Sequence, residues 1–223
     1  MDWLYDEALT AQIRRMSRAR RYQATFLALR RLHAPLVDME IPEEWGVGRV
    51  VVNSLLNCGA ARVDGEANDA LQQVISELSR APLFASEIDP NLAESFQLEA
   101  IGGWILLTEA LGEMSEVQTD RIIILAREQA HYLDQCIEET VVAVEGEELR
   151  ESYLENVEDR LRAYGLGYFA TRNLEVEGRC HDVITGASTG ENVLNSAAGR
   201  ALLDSCDRYS REIVSALRVF ACE

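Results

Sequence analysis

No lysine occurs among the 223 residues; all 21 basic side chains are arginine. That absence removes a lysine Schiff base and the phosphate-gripping lysine of a P-loop from the possible chemistries. A GC-rich coding bias accounts for the all-arginine usage, so no function is read from it. Histidine is almost as scarce, at His33, His131 and His181 only. No G-x-S-x-G elbow is present to seat a serine nucleophile. No apolar run approaches the roughly 18 residues of a membrane span. The opening "MDWLYDEALT" lacks the basic stretch and apolar stretch of a secretory leader. The five cysteines, Cys58, Cys136, Cys180, Cys206 and Cys222, lie far apart without a C-x-x-C pair. Reduced thiols in a cytoplasmic protein are the expectation, and structural zinc is not.

What the chain has in plenty is negative charge: 38 acidic residues give a formal charge of −17. Such a surface repels a nucleic-acid backbone or an anionic membrane, and it suits a basic protein partner. The charge is uneven. Residues 1–34 hold seven Arg against Asp2, Asp6 and Glu7, a balance of +4 that leaves −21 for the rest. The segment "IRRMSRARR" is expected to pair with the acidic body of its own chain, the alternative being contact with a second copy in a homo-oligomer.

Apolar residues make up 48% of the chain and recur with helical period. Ile122, Ala126, Ala130, Leu133, Ile137, Val141 and Val144 keep one stripe over a long helix across 115–144. Leu194, Ala198, Leu202, Cys206, Tyr209, Ile213, Leu217 and Phe220 define another over 192–220, opened by the cap-like "STGEN". Leu92, Phe96, Ala100, Trp104, Leu107 and Leu111 mark a third, with Asp89-Pro90 expected in its first turn and Gly102-Gly103 inside it, where a neighbouring helix comes close or the axis bends. Shorter helices are expected near 20–34, 46–58, 66–80 and 147–164. "GYFATRNLEVEGRC", residues 167–180, reads equally as helix or short hairpin. The expected fold is one all-α domain, residues 1–223, of about seven or eight helices packed around the three long ones.

Several constellations resemble catalytic sites. Glu128 and His131 form a Glu-x-x-His pair of the di-iron type, but the stripe through Ala130 and Leu133 turns them outward, and no second such pair exists. His181-Asp182 has the vicinal imidazole and carboxylate of metal-dependent phosphohydrolases, with His131 before it and Asp204 or Asp207 after it as further ligands; a polar pair ending a helix is the plainer expectation. "ITGASTGEN" puts small residues ahead of a helix N-terminus, with Arg179 and Arg200 the nearest cations in sequence. Glu113 with Glu116 and Glu155 with Glu158 have the spacing of Mg²⁺-binding carboxylates, which an acidic chain yields by chance. No catalytic, cofactor or metal residue is therefore assigned. The expected arrangement has titratable groups facing water, scattered too widely to act together.

"EAIGGWILLTEAL", residues 99–111, resembles the Ala-Ile-x-x-x-Val-x-Leu-Ser-Glu helix of the YjaG-like family of uncharacterised bacterial helical proteins, through Ala100, Ile101, Ile105, Leu107, Thr108 and Glu109. "ATFLALRRLHAPL" is similar to that family's N-terminal helix at Phe26, Leu29, Arg31 and Pro35, and "WGVGR" takes the place of its glycine-containing turn. The likeness covers residues 15–140; Gly102 stands where the family has Asp, and the C-terminal third shows no match. The resemblance implies an all-α bundle of unknown activity in a bacterial cytoplasm. The functional expectation is a non-enzymatic, immunity-, antitoxin- or adaptor-like protein that occludes a basic partner with the acidic helix at 145–160 and Glu138 and Glu139. A metal-dependent phosphohydrolase and a homo-oligomeric scaffold are the alternatives.

Overall fold

The computed structural model describes residues 7–63, 69–85, 87–140, 167–188 and 192–220. Among these, α-helices run Glu7–Arg15 (α1), Arg18–Arg31 (α2), Ala34–Asp38 (α3), Arg49–Val63 (α4), Ala70–Leu78 (α5), Leu92–Ala110 (α6), Glu116–Thr140 (α7), Tyr168–Gly186 (α8) and Ala197–Phe220 (α9). Short 3₁₀ turns occupy Glu43–Trp45, Pro82–Ala85 and Val193–Asn195, and no strand occurs among the described residues. The fold is all-α, as the periodicity requires. Nine helices among the described residues, with α1 and α3 short, agree with the expected bundle of about seven or eight. The expected helix at 147–164 lies outside the described residues, as do Val141, Val144 and the Glu155–Glu158 pair. Among the described residues no helix is long and apolar enough to cross a membrane.

The bundle is built around α2, which packs against α4, α6, α7, α8 and α9. Ser17 caps it by accepting the Arg20 N–H at 3.4 Å, and the next element begins at once with Pro35 in its first turn. Every residue from Tyr22 to Leu29 is buried. A helix covered on all sides carries no amphipathic stripe, which is why the periodicity pointed to α6, α7 and α9 as the framework instead. Those three do line the core. Ile122, Ala126, Ala130, Leu133 and Ile137 of α7 are each at most 1% exposed. Trp104 of α6 is fully enclosed, its ring edge-on to Phe26 at 6.3 Å and to His33 at 6.0 Å. Burying a side chain of this kind contributes about 1.5–3 kcal/mol.

Gly103 is where α6 meets α2. A Cβ there would lie 2.5 Å from Leu29 Cδ2, so only hydrogen fits, whereas Gly102 has nothing within 4 Å of such an atom. Close approach, expected of the pair, belongs to Gly103 alone.

Two local expectations need correction, and one open alternative is resolved. α6 starts after Asn91, whose side chain and Glu94 form a reciprocal capping box, so Pro90 precedes the helix instead of entering its first turn. α9 is capped by Ser196, which accepts the Gly199 N–H at 2.9 Å; Ala198 is exposed and the buried stripe begins at Leu202. Of residues 167–180, all but the N-cap Gly167 are helical. Phe169, Ala170, Asn173, Val176, Glu177, Cys180, His181 and Ile184 form the buried face of α8, a 3.6-residue period hidden by its three polar members.

Candidate functional site

The main departure from expectation is the interior, because the titratable groups do not all face water. At the junction of α2, α7 and α8, Glu177 is 1% exposed and lies between Arg31 (1%) and Arg127 (0%). Arg127 Nε donates to both Glu177 oxygens at 3.2 Å, and its Nη2 donates to Oε1. Arg31 donates through Nη2 to Glu177 Oε2 at 3.5 Å and through Nε to Asn173 Oδ1 at 2.9 Å. Burial opposes the charged state of Arg31, and the carboxylate of Glu177, with Cys180 and Cys206 behind it, more than offsets that and holds the proton more firmly than in water.

Asp134 of α7 is the second buried carboxylate. It accepts the Phe169 and Ala170 N–H groups at 2.9 and 2.8 Å, supplying α8 with the cap that Gly167 cannot give. Gly167 is obligatory in return, since a Cβ there would fall 2.2 Å from Asp134 Cγ. Tyr209 of α9 donates to the Phe169 carbonyl at 3.2 Å, and burial, then Asp134, pushes its phenol well above the usual range.

His181 is 1% exposed and faces this network, while Asp182 beside it is exposed and accepts from Gln12 Nε2 at 3.2 Å. The two residues thus point to different environments, and of the pair expected to end the helix only Asp182 faces water. Burial brings the His181 pKa down to about 4, against the upward pull of Glu177 and with the help of Arg31 and Arg127. A neutral imidazole near two guanidinium groups is a poor seat for a divalent cation. Asp204 is exposed, and Asp207 is engaged elsewhere.

Glu128 is exposed and His131 half-buried, as the stripe geometry requires. Glu99 of α6 comes near Glu128; its carboxyl is raised by burial and then by that neighbour. Glu113 is exposed, and Glu116 is bound by Arg21 Nη2 at 3.1 Å. Among the described residues no group of three or more His, Cys, Asp or Glu is placed to hold a metal ion. Arg179 and Arg200 each donate to a nearby carbonyl, of Glu175 and Asn195 respectively, and do not converge on the loop before α9.

Of the arginines in "IRRMSRARR", Arg18, Arg20 and Arg21 are held within the fold, chiefly by carbonyls and less by carboxylates, while Arg14 and Arg15 are exposed. Arg18 binds the Leu111 carbonyl, Arg20 that of Ala187, and Arg21 those of Ile13 and Met114 as well as Glu116. These carbonyls lie in or just beyond the last turns of helices, where a cation is favoured.

One cleft, of about 190 Å³, opens where α2 passes into α3 beside α4 and α9. Arg30 grips Asp207 through Nε and Nη2, at 2.6 and 2.7 Å, to form one wall. Ser210 accepts the Ala34 N–H at 2.8 Å. His33 lines the cleft at 3% exposure, and its Nδ1 has no hydrogen-bond partner among the described residues. Burial, then Arg30, lowers its pKa to about 4 against the opposing influence of Asp207, so the ring is neutral at pH 7. Ser210, His33 and Asp207 share the cleft without forming a relay, because Asp207 is taken by Arg30 and no bond joins Ser210 to His33.

Of these residues the sequence points to His181 and Asp207, as metal ligands, and to neither Glu177 nor Arg127. Asn173, Glu177 and His181 step by four along one face, a polar stripe that could have marked the α8 interior. Arg31 and Arg127 carried no such signal.

A scan against protein-family models finds none that matches the chain, and comparisons with curated proteins and with solved structures find no match either.

Proposed function

We propose that the protein works by binding a basic protein partner, without chemistry of its own, as an acidic helical module of the immunity-protein, antitoxin or adaptor kind. The observation that carries this reading is the disposition of charge. Among the described residues, the buried cations Arg31 and Arg127 are matched one for one by the buried anions Asp134 and Glu177. Arg18, Arg20 and Arg21 are tied to carbonyls of their own fold. The excess of 17 negative charges therefore belongs to the rest of the chain, where it steers a cationic partner in and sets specificity.

Apolar anchors lie near one acidic stretch. Glu40, Glu43 and Glu44 are exposed, and the turn at Glu43–Trp45 packs on the turn at Pro82–Ala85. Phe84 on the second turn is 50% exposed, and Val50, a few residues along the chain from Glu44, is 79% exposed. Acidic residues around exposed apolar side chains suit a partner that brings cations around an apolar centre. Residues 145–160, first expected to carry this role, lie outside the described residues, as do the side chains of Glu138 and Glu139. Membership of the YjaG-like family and a bacterial cytoplasmic setting belong to the same proposal, supported by the residues of α2 and α6 quoted above.

The test is capture from the source cell at low and high salt, followed by affinity measurement with the purified partner. A partner of high isoelectric point is expected, its affinity falling with salt and falling further when Glu43 and Glu44 are replaced together by Arg. Capture of no basic protein, or binding indifferent to salt, overturns the reading. Self-association that vanishes at high salt would favour the homo-oligomeric scaffold instead.

A further inference from the structure

The cleft between α2–α3 and α9 has unspent polar capacity of a definite kind. Its charged members are two arginines and two aspartates, Arg30 and Arg211 against Asp207 and Asp38, so its formal charge is zero. Arg30 and Asp207 satisfy each other. Arg211 and Asp38 are exposed residues lining the same cleft, and neither side chain has an ion-pair or hydrogen-bond partner among the described residues. Below them the buried His33 ring leaves Nδ1 unsatisfied. The Ser210 hydroxyl, which already accepts from Ala34, has a proton that no described group receives. A buried polar atom without a partner is uncommon in a folded protein and calls for an occupant that completes it. The remaining wall is aliphatic, from Val37 and Leu56.

We propose that this cleft binds a free α-amino acid as its zwitterion, with the carboxylate on Arg211 and the Ser210 hydroxyl, the ammonium on Asp38 and the His33 imidazole, and the side chain against Val37 and Leu56. The zero formal charge disfavours a bare anion or cation, each of which leaves one of the two free ionic groups unmatched. An ammonium needs acceptors, and a neutral imidazole and a carboxylate are acceptors; a carboxylate needs donors, and a guanidinium fork and a hydroxyl are donors. At about 190 Å³ the space is smaller than the sites that hold drug-sized ligands, and it suits a small metabolite. A metal ion is disfavoured by the two guanidinium groups. This inference is independent of partner binding, since it uses neither Phe84 nor the acidic stretch around Glu43.

Isothermal titration calorimetry with the proteinogenic L-amino acids, offered one at a time, is expected to find at least one that binds saturably. The amine lacking its carboxylate and the acid lacking its amino group are each expected to bind about ten-fold or more weakly, which corresponds to about 1.4 kcal/mol. Arg211→Gln and Asp38→Asn alter exposed side chains without partners among the described residues, so the fold should survive, as circular dichroism would verify. Each is expected to weaken binding about ten-fold, while Arg179→Gln, outside the cleft, leaves it unchanged. Absence of saturable binding for every amino acid, equal binding of the amine or acid analogue, or wild-type affinity in both cleft variants overturns the proposal.

Discussion

Glu177→Gln is the most direct test of how the bundle tolerates charge at its centre. The substitution keeps the shape of the side chain and one carbonyl acceptor, and removes the buried carboxylate that Arg31 and Arg127 share. Both guanidinium groups, at 1% and 0% exposure, then lose that shared counterion in a region water does not reach. Breaking a buried ion pair from one side costs about 3–5 kcal/mol. For a chain of this size that lowers the melting temperature by about 6–20 °C. The complementary variant removes the whole network: Arg31→Met, Arg127→Met and Glu177→Leu, with Asn173→Leu added because its Oδ1 relies on Arg31 Nε. Apolar replacement of a buried triad is commonly neutral or stabilising by about 1–4 kcal/mol, so the quadruple variant is expected to melt above Glu177→Gln and near the parent. Scanning calorimetry of the three proteins decides the matter. A Glu177→Gln melt within about 2 °C of the parent, or a quadruple variant less stable than Glu177→Gln, refutes the claim that the charges are mutually dependent and desolvated.

Stability should fall on acidification through the range of the two buried histidines. Their folded pKa values of about 4 lie below the usual 6.5, so nothing is lost above pH 6.5, and stability drops as pH falls toward 4 because only the unfolded chain takes up the protons. Denaturant titrations across that range are expected to show a loss on the order of 3 kcal/mol per histidine, reduced in His33→Asn and again in His33→Asn/His181→Asn; an unchanged slope in the double variant contradicts the assignment. Gly103→Ala is expected to cost about 1–3 kcal/mol by pushing on Leu29, whereas Gly102→Ala, with open space around it, gains about 0.5–1 kcal/mol; chemical denaturation of the pair checks the contrast. Asp134→Ala should cost about 2–3 kcal/mol by stripping α8 of both capping bonds, and amide exchange at Phe169 and Ala170 should accelerate before that of the rest of α8.

Where a helix has one face in the core and one in water, its sequence records the fact, and α6 and α7 were placed correctly for that reason. Phe96, Ala100, Trp104 and Leu107 are buried, as are Ile122 through Ile137 at every expected position. α2 broke the rule in the opposite way. With neighbours on nearly all sides it has no polar face, and its flanking arginines made it look like a surface segment although Arg31 is buried and Arg18 and Arg21 close other helices. Helix ends were less legible than helix faces, because a cap is chosen by competition among several plausible residues. Asn91 prevailed over Asp89-Pro90 since it places Glu94 three residues on to complete the reciprocal pair, and Ser196 prevailed over "STGEN" since a 3₁₀ turn intervenes.

The interior polar groups were illegible for a reason rooted in how amphipathicity is read. A pattern that scores polar residues as outward-facing assigns Asn173, Glu177 and His181 to solvent one at a time, and each assignment is sound for a residue considered alone. What reverses it is the partner on another helix: Glu177 is tolerable inside only because Arg31 and Arg127, 146 and 50 residues away in sequence, arrive at the same point. The cleft follows the same logic, since Asp38 and Arg211 become one site only through the packing of α3 on α9. Periodicity can therefore state which face of a helix is covered, while the chemistry of what covers it is a property of pairs. A chain whose helices read cleanly can still conceal a polar centre, and the three evenly spaced polar residues on α8, each a liability if buried alone, were the one place where the sequence announced that such partners had to exist.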